Sequence, residues 1–305
     1  MSITDAFRAW RRNFKAKLPF VRRREHRILQ RKYGDLIDAL GWTAPAATQA
    51  RLQAIKPTVQ PLIGEVCLFV SFASSPRLKR HVHRHVQNLL RVGVQVILIL
   101  NTDLPASAFA LDAELTSQLS GVFVRENTGF DFAAWAHVLS LCEGIDRWTR
   151  LYLVNDSIVG PINEPDFDRL IERIRASNAD VVGLTENRSP MRHVQSFFLV
   201  LNVVALRNPI VQHTFSSMRS LPSKAQVIDV YETRLTQVLT HHGLRCEALF
   251  QPLSDDPYSA NDTSLRWAEL IHAGFPYIKS SVLERFSGSA QVKSLVPTEL
   301  NQRDD

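Results

Sequence analysis

Three acidic residues follow short apolar runs where buried strands would end: Asp103 after residues 94–100, Asp131 after Gly121-Val122-Phe123-Val124, and Asp156 in Leu151-Tyr152-Leu153-Val154-Asn155-Asp156-Ser157. In an α/β protein, successive parallel strands end on one carboxyl edge of the sheet, and that edge binds the ligand. Carboxylates gathered there without matching cations suit a divalent metal ion, or the hydroxyls of a ribose or a sugar. Asn155-Asp156-Ser157 is the sharpest of these signals. An Asx turn into Gly160-Pro161 accounts for the aspartate but not for a whole polar triplet on a buried strand. Asp131 is equally suited to capping the helix that opens with Phe132-Ala133-Ala134-Trp135. Asp103 is suited to closing a turn before Pro105.

Two later residues extend the set. Glu232 lies in Asp229-Val230-Tyr231-Glu232, a pattern that fits a capping box at a helix start. A glutamate at that place facing a cleft is also a rigidly held general base. Lys279, in Phe275-Pro276-Tyr277-Ile278-Lys279-Ser280, puts one cation in an apolar segment, where it covers a diphosphate or merely snorkels to the surface. His81, His83 and His85 have two-residue spacing on a predicted helix, so only the first and third share a face; the run reads as a solvated helix surface rather than a metal cluster. The sequence contains no GxxxxGK[ST], no GxGxxG after the first strand and no GxSxG elbow. Phosphate binding by a P-loop, a dinucleotide fold of that type and serine-hydrolase chemistry are thereby disfavoured.

The elements that must position these residues alternate strand and helix from residue 65 onward, the mark of a mainly parallel sheet covered by helices. Strands are predicted over 66–72, 94–100, 121–124, 151–154 and 180–184, with helices over 77–92, 131–142 and 166–176. After 185 the repeat breaks. A long apolar strand is predicted over 195–201, helices over 209–219 and 224–242, a strand over 245–250, a helix over 263–273, and a closing segment over 275–285.

The chain has 305 residues, is 45% hydrophobic and carries a formal charge of +6, enough to bury a sizeable core. The charge is unevenly placed. Residues 1–32 hold eleven Lys and Arg against Asp5 and Glu25, or +9, which leaves −3 for the other 273 residues. Phe7, Trp10, Phe14, Leu18 and Ile28 recur among these cations at roughly helical spacing, broken at Pro19. A basic amphipathic helix of this kind can lie on an anionic bilayer, or be a solvated arm. Nucleic acid is a weaker partner, because no reader element follows. Cys67, Cys142 and Cys246 have no metal-type spacing and suit reduced thiols in a cytoplasmic protein. No apolar run approaches the ~18 residues of a membrane span. The expected organisation is a basic arm at 1–41, a connector at 42–64, one α/β domain at 65–290 and a polar tail at 291–305.

Five ordered stretches resemble the rhamnan synthesis protein F family. They are 126–135 (Glu-Asn-Thr-Gly-Phe-Asp-Phe-Ala-Ala-Trp), 154–161 (Val-Asn-Asp-Ser-Ile-Val-Gly-Pro), His193 to Phe198, Tyr231-Glu232 with the helix ending at Gly243, and Trp267 to Lys279. The resemblance implies a GT-A-like fold, with a nucleotide-sugar donor at the carboxyl edge of a Rossmann-like half. It implies a glycosyltransferase of surface polysaccharide synthesis, using dTDP-L-rhamnose or a related deoxyhexose donor and a lipid-linked glycan acceptor on the inner membrane face. The rival reading is a non-catalytic nucleotide-sugar or glycan-binding module. On the family pattern Asn155-Asp156-Ser157 takes the place of an Asp-x-Asp motif, with Asp156 holding Mg²⁺ or Mn²⁺. The triplet has one carboxylate where that motif has two, so basic groups such as Lys279 are the alternative means of stabilising the leaving group. Asn127, Gly129 and Asp131 would line the ribose and sugar region, with Asp103 near the base or ribose. His193 and Gln195 would bind donor or acceptor sugar, and Glu232 would be the general base of an inverting displacement.

Overall fold

Unbroken apolar runs bury both faces of a strand. Val66 to Val70 and Val96 to Leu100 do so throughout. The computed structural model describes residues 44–58, 61–253 and 261–301; the basic arm lies outside them. Its strands are β1 (Leu52–Lys56), β2 (Gly64–Phe72), β3 (Gln95–Asn101), β4 (Gly121–Arg125), β5 (Trp148–Asn155), β6 (Ile158–Val159), β7 (Val181–Asn187), β8 (His193–Val194), β9 (Phe198–Asn202), β10 (Cys246–Phe250) and β11 (Ile278–Lys279). The main sheet runs in the order β1-β4-β3-β2-β5-β9-β7-β10, with β8 paired to β7.

Strands β4, β3, β2 and β5 are mutually parallel, and in chain order they stand third, second, first and fourth, the arrangement of a doubly wound nucleotide-binding half. The rest corrects the expectation of a mainly parallel sheet. β9 runs antiparallel to both β5 and β7, and β1 antiparallel to β4, so the sheet is mixed. The physical reason is the connection from β7 to β9, which holds the two-residue β8 and no helix; a parallel neighbour would need a crossover, an antiparallel one only a short return. Edge strand β1 arises within the stretch read as a connector.

Helices flank the sheet. Those that bear on the site are α1 (Arg80–Arg91), α2 (Ala113–Gln118), α3 (Phe130–Leu139), α4 (Glu164–Ala176), α5 (Val203–Arg207), α6 (Pro209–Ser216), α7 (Lys224–Val227) and α8 (Thr233–His241). Trp135 of α3 is fully buried and donates its indole N–H to the Leu68 carbonyl at 3.0 Å, tying that helix to β2. A second, two-stranded sheet pairs β11 antiparallel with β6. It sits over a satellite core that includes Trp267, Ile278, Val282, Val292, Val296 and Leu300. Residues 291–301, expected as polar tail, therefore supply three of its buried side chains. No helix of the described residues is long and apolar enough to cross a membrane.

His85 overturns the solvated reading of the histidine run. Its exposure is 1%, its Nε2 lies 2.8 Å from the Tyr277 hydroxyl, and its ring stacks on Phe198 at 6.0 Å. The row of α1 that faces the sheet is Val82, His85, Val86 and Leu89, spaced by three and four residues, so His85 occupies a core position. Burial, helped by nearby His81, lowers its pKa from 6.5 to about 3. A histidine held neutral in the fold supports stability fully above its unfolded value, and that support is lost as the pH falls towards the folded one. Acidification from about pH 7.5 to about pH 5 should cost on the order of 2 kcal/mol through this group. Urea denaturation at the two pH values measures it, and His85→Phe should flatten the difference.

Candidate active site at the carboxyl edge

Asn155 closes β5, and its backbone N–H donates to the Phe197 carbonyl at 3.1 Å. Its side chain is 7% exposed and spent on its neighbours. Nδ2 donates to Asp131 Oδ2 at 2.6 Å, and Oδ1 accepts from the Ser157 N–H at 3.1 Å and from Ser157 Oγ at 2.6 Å. Asp131 stands in the first turn of α3, where the N-cap is Gly129. It is therefore not the N-cap, and it accepts from the neighbouring Phe132 N–H at 3.1 Å within the first turn. Its other oxygen reaches across to Asn155. Burial, then the charge of Glu232, raises the Asp131 pKa from 3.8 to about 6.

Glu232 does not start a helix. Ser223 is the N-cap, accepting from the Gln226 N–H at 3.3 Å, and Glu232 ends a π-helical turn, Ile228–Glu232, between α7 and α8. Such a turn inserts one residue into the helical register and re-aims the side chains beside it, a device common at functional sites. Glu232 Oε2 accepts from Ser196 Oγ. Oε1 lies 3.7 Å from His193 Nε2. The Met191 carbonyl lies 2.8 Å from His193 Nδ1 and accepts a hydrogen bond from it, while Nε2 faces the carboxylate, to which it can donate only when the ring carries its second proton. Burial alone would push Glu232 up, but the hydrogen bonds from His193 and Ser196, and the charge of Lys279, bring it below its ordinary value.

Lys279 arrives through the small sheet, where it pairs with Ile158 while the Ser280 N–H donates to the Ser157 carbonyl at 2.9 Å. Its ammonium stands 5.4 Å from the centre of the Phe197 ring. Burial lowers its pKa, which Glu232 partly restores. Asp131, Asn155, Ser157, His193, Glu232 and Lys279 thus line one cavity of about 360 Å³. Two carboxylates in one cavity with pKa values pushed apart are the usual basis for dividing acid and base roles.

Gln195 also lines this cavity, but its Oε1 accepts from Thr185 Oγ1 at 2.7 Å and from Thr263 Oγ1 at 3.4 Å, which ties it into the fold. Asp103 is exposed in a bend beyond β3, outside the cavity. Asn127 and Gly129 also lie outside it. Gly129 has φ +70°, and a Cβ there would sit 2.5 Å from Ser220 Cα, so its role is steric. Sequence reasoning passed over Ser196, which stands between Gln195 and the apolar run that begins at Phe197. It also passed over fully buried Arg125, which donates to the carbonyls of Glu126, Thr128 and Ala47 and shapes the loop ahead of α3.

Asp156 faces elsewhere. Its Oδ2 accepts from Ser71 Oγ at 2.8 Å, from the Phe72 N–H at 3.0 Å and from Lys79 Nζ at 2.7 Å. It borders a second cavity of about 660 Å³, which Lys79, Lys224, Ser157 and Ser280 also line. The Asp156 donor set does not fit a divalent cation: its carboxylate is already neutralised by an ammonium that a metal would have to displace, and the other carboxylate bordering the cavity is Glu284. Among the described residues no three His, Cys, Asp or Glu gather to hold an ion.

A family model described as rhamnan synthesis protein F matches residues 96–303. The chain is also similar to virulence protein VirA of Vibrio anguillarum, including strain ATCC 68554 / 775. Identity is 27% over 251 residues, covering 72% of this chain and 79% of the relative.

Proposed function

We propose, since the chain belongs to the rhamnan synthesis protein F family, that it is a glycosyltransferase of GT-A-like architecture. Its role is in polysaccharide synthesis. The donor would be a nucleotide sugar, dTDP-L-rhamnose or another deoxyhexose, and the acceptor a lipid-linked glycan, reached by docking residues 1–32 on the inner membrane face. The observation that carries the reading is Glu232, which accepts from Ser196 Oγ and lies 3.7 Å from His193 Nε2, in a cavity that also holds Asp131 and Asn155. The parallel four-strand half ending at that cavity supports a nucleotide-linked donor.

In the proposed reaction an acceptor hydroxyl gives its proton to Glu232 as its oxygen bonds to the anomeric carbon. The bond from that carbon to the diphosphate breaks, and its electron pair leaves with the nucleotide. Attack opposite the leaving group inverts the anomeric centre. Asp131 is suited to accept hydrogen bonds from the donor sugar, and Lys279 to offset negative charge.

The test incubates the protein with a panel of nucleotide sugars and a lipid-linked acceptor, with product anomers read by NMR. Nucleotide release that depends on acceptor, with inversion, is the expected result. The Asp156–Lys79 pair favours one rival, a module that binds donor without turnover. Binding with no transfer across the panel would establish that rival instead.

A further inference from the structure

We infer that the donor diphosphate is held by lysines, Lys79 and Lys224, and that Asp156 serves to position Lys79 rather than to bind a metal. The inference rests on the glycosyltransferase reading and deepens it. Lys224, Ser157 and Ser280 line both cavities, so the 660 Å³ cavity adjoins the 360 Å³ one that holds Glu232. A ligand with its sugar at Glu232 that spans the two cavities would extend its leaving group towards Lys224 and Lys79. Glu284 is the other carboxylate bordering the larger cavity, and His81 faces it as well.

The Asp156 contacts set the geometry. Two fixed donors, Ser71 Oγ and the Phe72 N–H, hold the carboxylate, and it in turn holds Lys79 at the cavity wall. The Lys79 side chain is 28% exposed, so its ammonium keeps free directions for a phosphate oxygen. It also stands at the end of the loop joining β2 to α1, the first crossover of the parallel half, the turn that takes the phosphates in doubly wound sheets. That loop carries Arg77 besides Lys79, Arg80 opens α1, and the three line an adjoining cavity of about 240 Å³. Asn155, the other side chain of the triplet with a metal-binding oxygen, has spent that oxygen on Ser157. Lys79 lies ahead of the matched residues 96–303, so the cation is a feature of this chain outside the family match.

Calorimetric titration of the full chain with dTDP, UDP and GDP, each in excess EDTA and in excess Mn²⁺, tests the inference. At least one nucleotide should bind with the same affinity, within about threefold, in both media. Lys79→Met and Lys224→Met should each weaken that binding roughly tenfold or more, the scale of a charge-assisted hydrogen bond. Lys224 is exposed, and a thermal melt of its variant separates loss of binding from loss of folding. Lys79→Met should also cost more than Asp156→Asn. Binding that requires Mn²⁺ and vanishes in Asp156→Asn would overturn the inference while leaving the glycosyltransferase reading intact. An absence of binding by all three nucleotides in either medium would overturn both.

Discussion

Glu232→Gln lowers sugar transfer by roughly 10²- to 10⁴-fold, the range for losing a positioned general base, while donor affinity changes little. The substitution keeps the volume and an oxygen that can still accept from Ser196 Oγ. What it removes is the site for the acceptor proton. In energy the loss corresponds to about 3–5 kcal/mol of barrier. Because hydrogen bonds and Lys279 hold Glu232 below its ordinary pKa against the opposing effect of burial, the wild-type rate should not fall with Glu232 protonation until the pH drops below the usual carboxylate range. The measurement is steady-state transfer alongside donor titration and a thermal melt. A folded variant with near wild-type kcat would remove Glu232 from the chemistry. A fall in kcat with donor binding and melting temperature preserved assigns it there, since a purely structural glutamate would lower stability as well.

The side to which each residue of the triplet turns shows what was readable in the chain. The apolar run before Asn155 announced β5, and its polar end announced the carboxyl edge. The strand alternation of two then sends Asn155 and Asp156 to opposite sides: Asn155 meets Asp131 near Glu232, whereas Asp156 meets Lys79. The period was legible, but the partner was not, because Lys79 is one of two cations, with Arg77, in the stretch before α1 and nothing local distinguishes it. Glu232 was legible as an acid on a helix. Its placement was not, since a π-helical turn leaves no pattern in residue types and the Asp-x-x-Glu spacing imitated a cap. His85 hid for the opposite reason, a polar residue in a core row whose partner, Tyr277, lies 192 residues away. The antiparallel β9 follows from a return too short for a crossover helix, and a pattern of apolar runs does not encode strand direction.

Asp131→Asn raises stability at alkaline pH and weakens the donor interaction, and the two signs together identify the carboxylate as functional. In the fold Asp131 titrates at about 6, against 3.8 for the free side chain, through burial first and the Glu232 charge second. Between these values the folded state binds more protons than the unfolded state, so stability falls as the pH rises through that window. Above it the cost of the ionised form is complete, up to about 3 kcal/mol. Asparagine keeps the shape and can still accept from Asn155, but it never ionises. At about pH 8 the variant should therefore melt roughly 2–8 °C higher than wild type, and at about pH 4 the gain should vanish. The donor KM should rise roughly tenfold or more if the charged oxygen receives the sugar hydroxyls, the scale of a hydrogen bond to a charged group. In a Glu232→Gln background the stability gain should shrink, because one of the two causes that raise Asp131 is gone. A variant that is less stable at every pH would mean that the Asn155 and Phe132 contacts outweigh the burial of the charge. A stability gain in Asp131→Asn accompanied by a raised donor KM would place this cost on the functional side of the fold, as a penalty that ligand binding offsets.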